Sequence, residues 1–186
     1  MNLFNNNMGC TTSIETKSDF SDKNFDNVDD FSLNDKILLA RVVDIYDGDT
    51  CICVLNIFDN YYKFKIRLAE IDTEEMKNKN TAKKELAYLA RNLLYILITG
   101  DQTIDIYETR SNIREKLQKT CYMVKLYCSN FDKYGRLLAY IFKKDFIFNN
   151  IDNNQNLIES NKRFSYNYYL VDNNLAVYYN GGTKGF

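Results

Sequence analysis

Ile37-Leu38-Leu39-Ala40-Arg41-Val42-Val43-Asp44-Ile45-Tyr46, then Asp47-Gly48, then the run from Thr50 to Ile57 is the stretch that decides the fold. Branched and apolar side chains suit a pleated, half-buried surface, and Asp-Gly between two such runs is a hairpin signal. The chain crosses Phe58-Asp59-Asn60 into a third run, Tyr61 to Ala69. Three antiparallel strands in a meander are predicted.

Downstream, Ala82, Leu86, Leu89, Ala90, Leu93, Leu94 and Leu97 recur at three and four residues, one face of a helix from Thr81 to Thr99 that Gly100 stops. Thr103 to Tyr107, Tyr122 to Cys128 and Leu137 to Phe142 read as further strands, the last after a tight turn at Tyr134-Gly135. The charged segment from Glu108 to Thr120 reads as a protruding loop or short helix, and Asn149 to Asn161 as a solvated excursion. Ser165 is suited to cap a short helix ending at Asp172, and Asn173-Asn174 to the left-handed turn that follows. Strands, helix, strands, helix describe a mainly β, α+β domain: a small β-barrel with two to three helices over residues 36–186. Residues 1–35, rich in Asn, Asp, Ser and Thr without sustained period, read as a disordered acidic tail.

With 186 residues and 45% hydrophobic content, the chain can bury one ordinary core. Five cysteines at irregular spacing describe neither a secreted disulfide framework nor a paired metal motif, so a reducing, cytoplasmic compartment is expected. Cys51 and Cys53 share one strand face and are expected to pack as small hydrophobes. No run reaches the roughly 18 apolar residues of a membrane span, and the first residues lack the layout of a secretory signal. Met8-Gly9-Cys10-Thr11-Thr12-Ser13 has the form of an acylation site, with Gly9 and Cys10 as acceptors, effective only if synthesis starts at Met8. Such a tether is the one membrane association expected.

A net charge of −1 argues against a protein that coats nucleic acid electrostatically, though not against an enzyme gripping one phosphate. The chain has no histidine. Phosphodiesterase designs that need an imidazole base or ligand are thereby excluded, leaving carboxylates, lysine, tyrosine or metal-bound water for proton transfer.

Three segments in order, Asp47-Gly48-Asp49-Thr50, then Arg67-Leu68-Ala69-Glu70-Ile71-Asp72-Thr73-Glu74-Glu75, then Asp132-Lys133-Tyr134-Gly135-Arg136-Leu137-Leu138-Ala139-Tyr140, resemble the thermonuclease (staphylococcal nuclease) family. The likeness spans about residues 37 to 184, through Leu170-Val171, Leu175-Ala176 and Gly181-Gly182-Thr183-Lys184. It implies a five-stranded OB-fold barrel and a Ca²⁺-dependent endonuclease of DNA or RNA, with little base specificity and 3′-phosphate products. It further implies that Asp49 and Asp72 ligate one Ca²⁺ with the Thr73 carbonyl, that Glu75 orients or deprotonates water, and that Arg67 and Arg136 are the catalytic arginines. Asp47 would lie beside the metal, while Lys133, Tyr134 and Tyr179, in preference to Tyr178, fall where the family contacts nucleotide.

The chemistry suits these residue types. Attack on a phosphodiester builds charge on oxygens already anionic, and guanidinium forks aimed there stabilise it. A hard divalent ion takes oxygen ligands and waters. On the strand reading, Asp49 opens one strand and Asp72 ends its neighbour, so both reach one rim of the barrel. Taken singly, Asp47 and Asp49 are ordinary turn residues, Arg67 a solvated strand residue, and Glu75 a surface charge or one near a helix start. Glu74 stands where the family commonly has proline, so a looser loop with an added charge is expected. The competing reading is a non-catalytic OB-fold module that binds nucleic acid or protein through its fifteen tyrosines. A monomer is expected, since no apolar stripe is left over once the core is assigned.

Overall fold

Nine residues from Ile37 to Ile45 (β1) pair antiparallel with Thr50–Ile57 (β2), and β2 pairs with Asn60–Leu68 (β3), which is the predicted meander. The turn between β2 and β3 places both Phe58 (φ 52°) and Asp59 (φ 61°) in the left-handed region that a two-residue hairpin needs. Met123–Phe131 (β5) pairs antiparallel with β1 and with Leu137–Lys143 (β6), and β6 runs parallel to β3. The order β1-β2-β3-β6-β5 therefore closes on itself, leaving the barrel no unpaired edge. The predicted five-stranded OB-fold barrel is the fold observed. Ile71–Asp72 (β4) and Val177–Tyr178 (β7) form a separate two-stranded ladder.

The computed structural model describes residues 19–149 and 157–179. Two units divide the chain, Met1–Phe31 and Ser32–Phe186. In the first, residues 19–31 form turns closed by local bonds, among them Lys23 N–H to the Phe20 carbonyl at 3.0 Å, without helix or strand. Gly9 and Cys10 lie outside the described residues, as does the Gly181 to Lys184 segment. In the second unit Leu33 already belongs to the hydrophobic core.

Inside the barrel, Val42, Cys51, Cys53, Leu55, Ile66, Val124, Leu126, Cys128 and Ile141 are buried almost completely. The three cysteines among them are free thiols, with Cys51 and Cys53 sulfurs 3.8 Å apart. They fill space as small hydrophobes.

Among the described residues four α-helices accompany the barrel, against the two to three predicted. The helix Thr81–Thr99 (α1) has the predicted bounds: Asn80 caps Lys83 N–H at 3.1 Å, and left-handed Gly100 returns its N–H to the Ile96 carbonyl. Its buried face differs from the predicted one. Leu86 and Leu89 are exposed, whereas Ala87, Ala90, Arg91, Asn92, Leu94 and Tyr95 face inward. Polar residues point inward because the following loop needs donors: Asn92 Nδ2 bonds the Asp105 and Ile106 carbonyls, both at 3.0 Å, and Arg91 bonds that of Glu108. Those side chains take the place of a strand partner, so Thr103 to Tyr107 is a loop and not the predicted strand.

The charged segment holds a helix, Arg110–Lys119 (α2), capped by Thr109. Far from protruding, it rests on β1 through the fully buried Ile113 and Leu117. Part of the predicted Asn-rich excursion is also helical, Leu157–Asn161 (α3), with Ile158 and Asn161 buried. The helix Tyr166–Asp172 (α4) begins at the predicted cap, Ser165, whose Oγ accepts from Tyr168 N–H at 3.3 Å. Asn174 (φ 58°) supplies the left-handed residue after it.

Candidate active site

The β1–β2 turn, the end of β3 and the loop after β4 meet because their register brings them together. Thr50 is the cross-strand partner of Arg67, and Leu68 N–H bonds the Asp49 carbonyl at 2.8 Å, so the chain from Asp47 to Asp49 lies beside Arg67. Gly48 makes the approach to α1 possible. A Cβ there would stand 2.5 Å from the Ala90 Cβ and 2.9 Å from Thr73 Cγ2, far inside contact distance. Its φ is not left-handed, so Gly48 is required for space and not, as the turn signal suggested, for conformation.

Arg67 links the two predicted metal-binding aspartates. Its Nη1 lies 2.7 Å from Asp49 Oδ2 and its Nη2 lies 2.7 Å from Asp72 Oδ1, with all three side chains nearly buried. Asp49 Oδ2 also accepts the Thr73 N–H and hydroxyl, each at 2.9 Å, and Oδ1 accepts the Thr50 hydroxyl at 3.0 Å. Thr73, expected to offer its carbonyl, thus gives Asp49 two donors. Asp47 Oδ1 accepts Asp49 N–H at 3.2 Å. Burial, and next the charge of Asp49, push the Asp47 carboxyl up to about 7.

A groove of about 700 Å³ opens over this cluster. Asp47, Asp49, Arg67, Asp72, Thr73, Glu74 and Glu75 line its middle, and Lys133, Tyr134, Arg136 and Tyr179 also border it. Every residue predicted for catalysis, metal or substrate borders this one groove. Tyr178 does not: its ring packs edge-on against Tyr168, whereas Tyr179 sends its N–H to the Glu70 carbonyl at 2.8 Å.

The Asp132 to Arg136 turn presents the second arginine. Gly135 is left-handed (φ 74°), Asp132 accepts backbone N–H groups from Tyr134 and Arg136, and its Oδ2 holds Arg136 Nε at 2.7 Å. Burial alone would raise the Asp132 carboxyl, but these bonds carry it below the usual carboxylate range. Lys133 and Arg136 flank the exposed Tyr134 ring at 5.1 and 5.6 Å. Glu75 is exposed on the loop before α1, its carbonyl held by Asn78 N–H at 2.9 Å. The loop expected to be loose without proline is tied to α1 by Glu74, which pairs with Lys83 at 2.9 Å and accepts from Asn78 at 3.1 Å.

Two structural residues escaped sequence reading. Asn167, fully buried on α4, donates to the Ala69 and Ala139 carbonyls at 3.0 and 3.1 Å and accepts Ile141 N–H at 3.0 Å, fastening the helix to the barrel beside the site. Asp44, buried on β1, accepts from Arg110 and Arg114 of α2. An aspartate in an otherwise apolar strand was the available signal for the second.

Closed barrel, capping helices and a groove of carboxylates and arginines over the β1–β2 turn define a small OB-fold domain with a polar, charged cleft. The sequence matches the family described as staphylococcal nuclease homologue over residues 65–180, more than half of the chain, and the chain belongs to that family, which is of nuclease type. The match includes Arg67, Asp72, Glu75, Arg136 and Tyr179, while Asp47 and Asp49 precede it. A search of curated proteins gave no match.

Proposed function

We propose that the protein is a Ca²⁺-dependent endonuclease that hydrolyses DNA or RNA with little base specificity and leaves 3′-phosphates. The observation that carries this reading is the Asp49–Arg67–Asp72 cluster on the floor of a groove bordered by Glu75 and Arg136.

The donor set fits a hard cation. Asp49 and Asp72 against one guanidinium leave a formal excess of one negative charge, to which Asp47 adds as its carboxyl ionises, all on oxygen, in a chain without histidine. Among the described residues no group of three carboxylate or thiol side chains is placed to hold an ion, so a bound ion would rest on the Asp49 and Asp72 pair with water completing its shell. Asp49 and Asp72 would hold the ion, with Thr73 beside them. When bound, Ca²⁺ supplies positive charge to the phosphoryl oxygens. An ion held by Asp49 and Asp72 would weaken their hold on Arg67, whose guanidinium would then be freer to meet phosphate.

In the reaction the water oxygen bonds to phosphorus, its proton passes to the Glu75 carboxylate, and the P–O5′ bond breaks, with O5′ taking a proton from solvent. Arg136 suits the developing charge. Asp132 fixes its Nε, and its two Nη nitrogens form no hydrogen bond among the described residues. Lys133, Tyr134 and Tyr179 would hold the adjoining nucleotide.

The test is cleavage of labelled single-stranded DNA, duplex DNA and RNA, with Ca²⁺ or chelator, by the wild type and Glu75→Gln. Ca²⁺-dependent cutting that the variant loses is the expected result. Folded protein that cuts none of the three with Ca²⁺ present would overturn the reading in favour of a non-catalytic OB-fold binding module.

A further inference from the structure

The groove is also lined by Tyr46, Lys65 and Arg110, to which the family likeness assigns no role. A second cavity of about 540 Å³ shares Arg67, Lys133, Tyr134, Arg136 and Tyr179 with the groove but none of these three. Lys65 precedes Arg67 by two residues on β3 and so shares its face of the strand. Arg110 opens α2, which Ile113 and Leu117 fix to the barrel.

Arg110 is held in place before any ligand arrives. The buried Asp44 carboxylate accepts its Nε at 3.1 and 3.2 Å and its Nη2 at 2.5 Å, and the guanidinium lies over the Tyr46 ring at 4.6 Å. The same carboxylate accepts Arg114 Nη2 at 2.7 Å. One negative charge therefore answers two guanidinium groups, of which Arg110 lines the groove. Lys65, in no ion pair among the described residues, adds a second cation. Arg110 Nη1 forms no hydrogen bond among the described residues, and Tyr46 is 45% exposed.

Cations beside an accessible aromatic ring are complementary to a chain of phosphates carrying flat bases that are free to unstack. Resting on the nuclease reading above, we propose that Tyr46, Lys65 and Arg110 form a second strand-binding subsite, which takes a phosphate and base of a single-stranded polynucleotide beyond the scissile bond. A preorganised guanidinium loses little freedom when it meets that phosphate.

The experiment follows kcat/KM with Ca²⁺ across a salt series, on single-stranded DNA and RNA octamers, for the wild type, Arg110→Ala, Lys65→Ala and Tyr46→Ala. Each lost phosphate contact on a single strand should flatten the slope of log kcat/KM against log salt by about 0.7, in Arg110→Ala and in Lys65→Ala alike. Tyr46→Ala should raise KM about tenfold, as loss of one stacked base does, without changing the slope. Among the described residues Lys65 forms no hydrogen bond or ion pair with Asp44 or α2, so its variant reports on the subsite even if Arg110→Ala disturbs the helix. Wild-type slopes in both charge variants would overturn the subsite and leave the nuclease intact. A wild type that cuts duplex DNA but neither octamer would likewise overturn the subsite alone, whereas one that cuts none of the three substrates takes the nuclease reading and the subsite with it.

Discussion

Gly48→Ala is the sharpest perturbation the site allows, because one methyl group strikes atoms that cannot yield. Its Cβ would lie 2.5 Å from the Ala90 Cβ, 2.9 Å from Thr73 Cγ2 and 3.2 Å from the Ala90 carbonyl carbon. Carbon atoms in contact rest at about 3.5–4.0 Å, so the turn and α1 must separate by roughly 1 Å. Ala90 has no rotamer to change. Thr73 could swing its methyl only by moving the hydroxyl bonded to Asp49 at 2.9 Å. Forcing a methyl into such a site costs about 1–3 kcal/mol, which lowers Tm by roughly 2–12 °C for a domain of this size.

Activity should fall further than stability, since the displaced turn carries Asp47 and Asp49. A misplacement of about 1 Å in a reacting constellation lowers turnover on the order of 10²-fold. The assay is thermal unfolding together with cleavage measured well below the transition, for Gly48→Ala, Ala90→Gly and the double variant. Removing the Ala90 Cβ relieves the closest clash, so the double variant should be more stable than the sum of the single effects allows, by about 1 kcal/mol. Strict additivity, or a Gly48→Ala protein within about 0.5 kcal/mol of the wild type, would refute the close-approach argument.

Asn167→Leu should lower stability by about 2–4 kcal/mol, since Ile141 N–H and the Ala69 carbonyl both lose their side-chain partner, and urea unfolding checks it; Ala139 keeps the Ala69 N–H at 2.9 Å. Burial would raise the Asp44 carboxyl, but the bonds from Arg110 and Arg114 hold it below the usual range, so its contribution is present above the unfolded value of about 3.9 and is lost as pH falls through the folded one. Asp44→Asn should therefore cost about 1–2 kcal/mol near neutrality, discounted for the exposure of both guanidiniums, and the gap to the wild type should close in unfolding measured below about pH 4. Arg67→Lys should reduce both stability, by about 2–4 kcal/mol, and turnover, because it leaves at least one of two buried carboxylates without its fork. Arg136→Lys, at a half-open pair, should shift stability by less than about 1 kcal/mol yet lower turnover at least ~10²-fold; equal Tm losses in the two would contradict this division of roles.

What the sequence discloses depends on how local the cause is. The strands Ile37–Ile45 and Thr50–Ile57 follow from branched residues around a turn, and α1 and α4 start and stop at caps whose atoms sit within a few residues of the end they satisfy. The errors arise where a distant partner decides. Thr103 to Tyr107 has the composition of a strand, but Asn92 supplies donors to two of its carbonyls, and no neighbouring strand is needed. For the same reason the helix turns Arg91 and Asn92 inward and leaves Leu86 and Leu89 to solvent. The site was more legible than its surroundings, since all of its predicted residues border one groove, yet the Arg67 link between Asp49 and Asp72 is a tertiary fact that no spacing rule contains.

Net charge misleads in a related way. A value of −1 averages over the whole chain, whereas a substrate meets only the charges that share its groove. Here the fold separates them. Acidic groups gather around Arg67, which meets Asp49 and Asp72, and basic groups come to the groove from other elements, Lys133 and Arg136 from one turn, Lys65 and Arg110 from β3 and α2. Asp132 and Asp44 fix the two outer arginines without removing them from the groove, and the acidic side chains counted against nucleic-acid binding thereby orient the cations that would perform it. Held by so few contacts, a polynucleotide should bind with a modest salt dependence, and cleavage by this protein should persist at ionic strengths that strip a basic coat protein from its target.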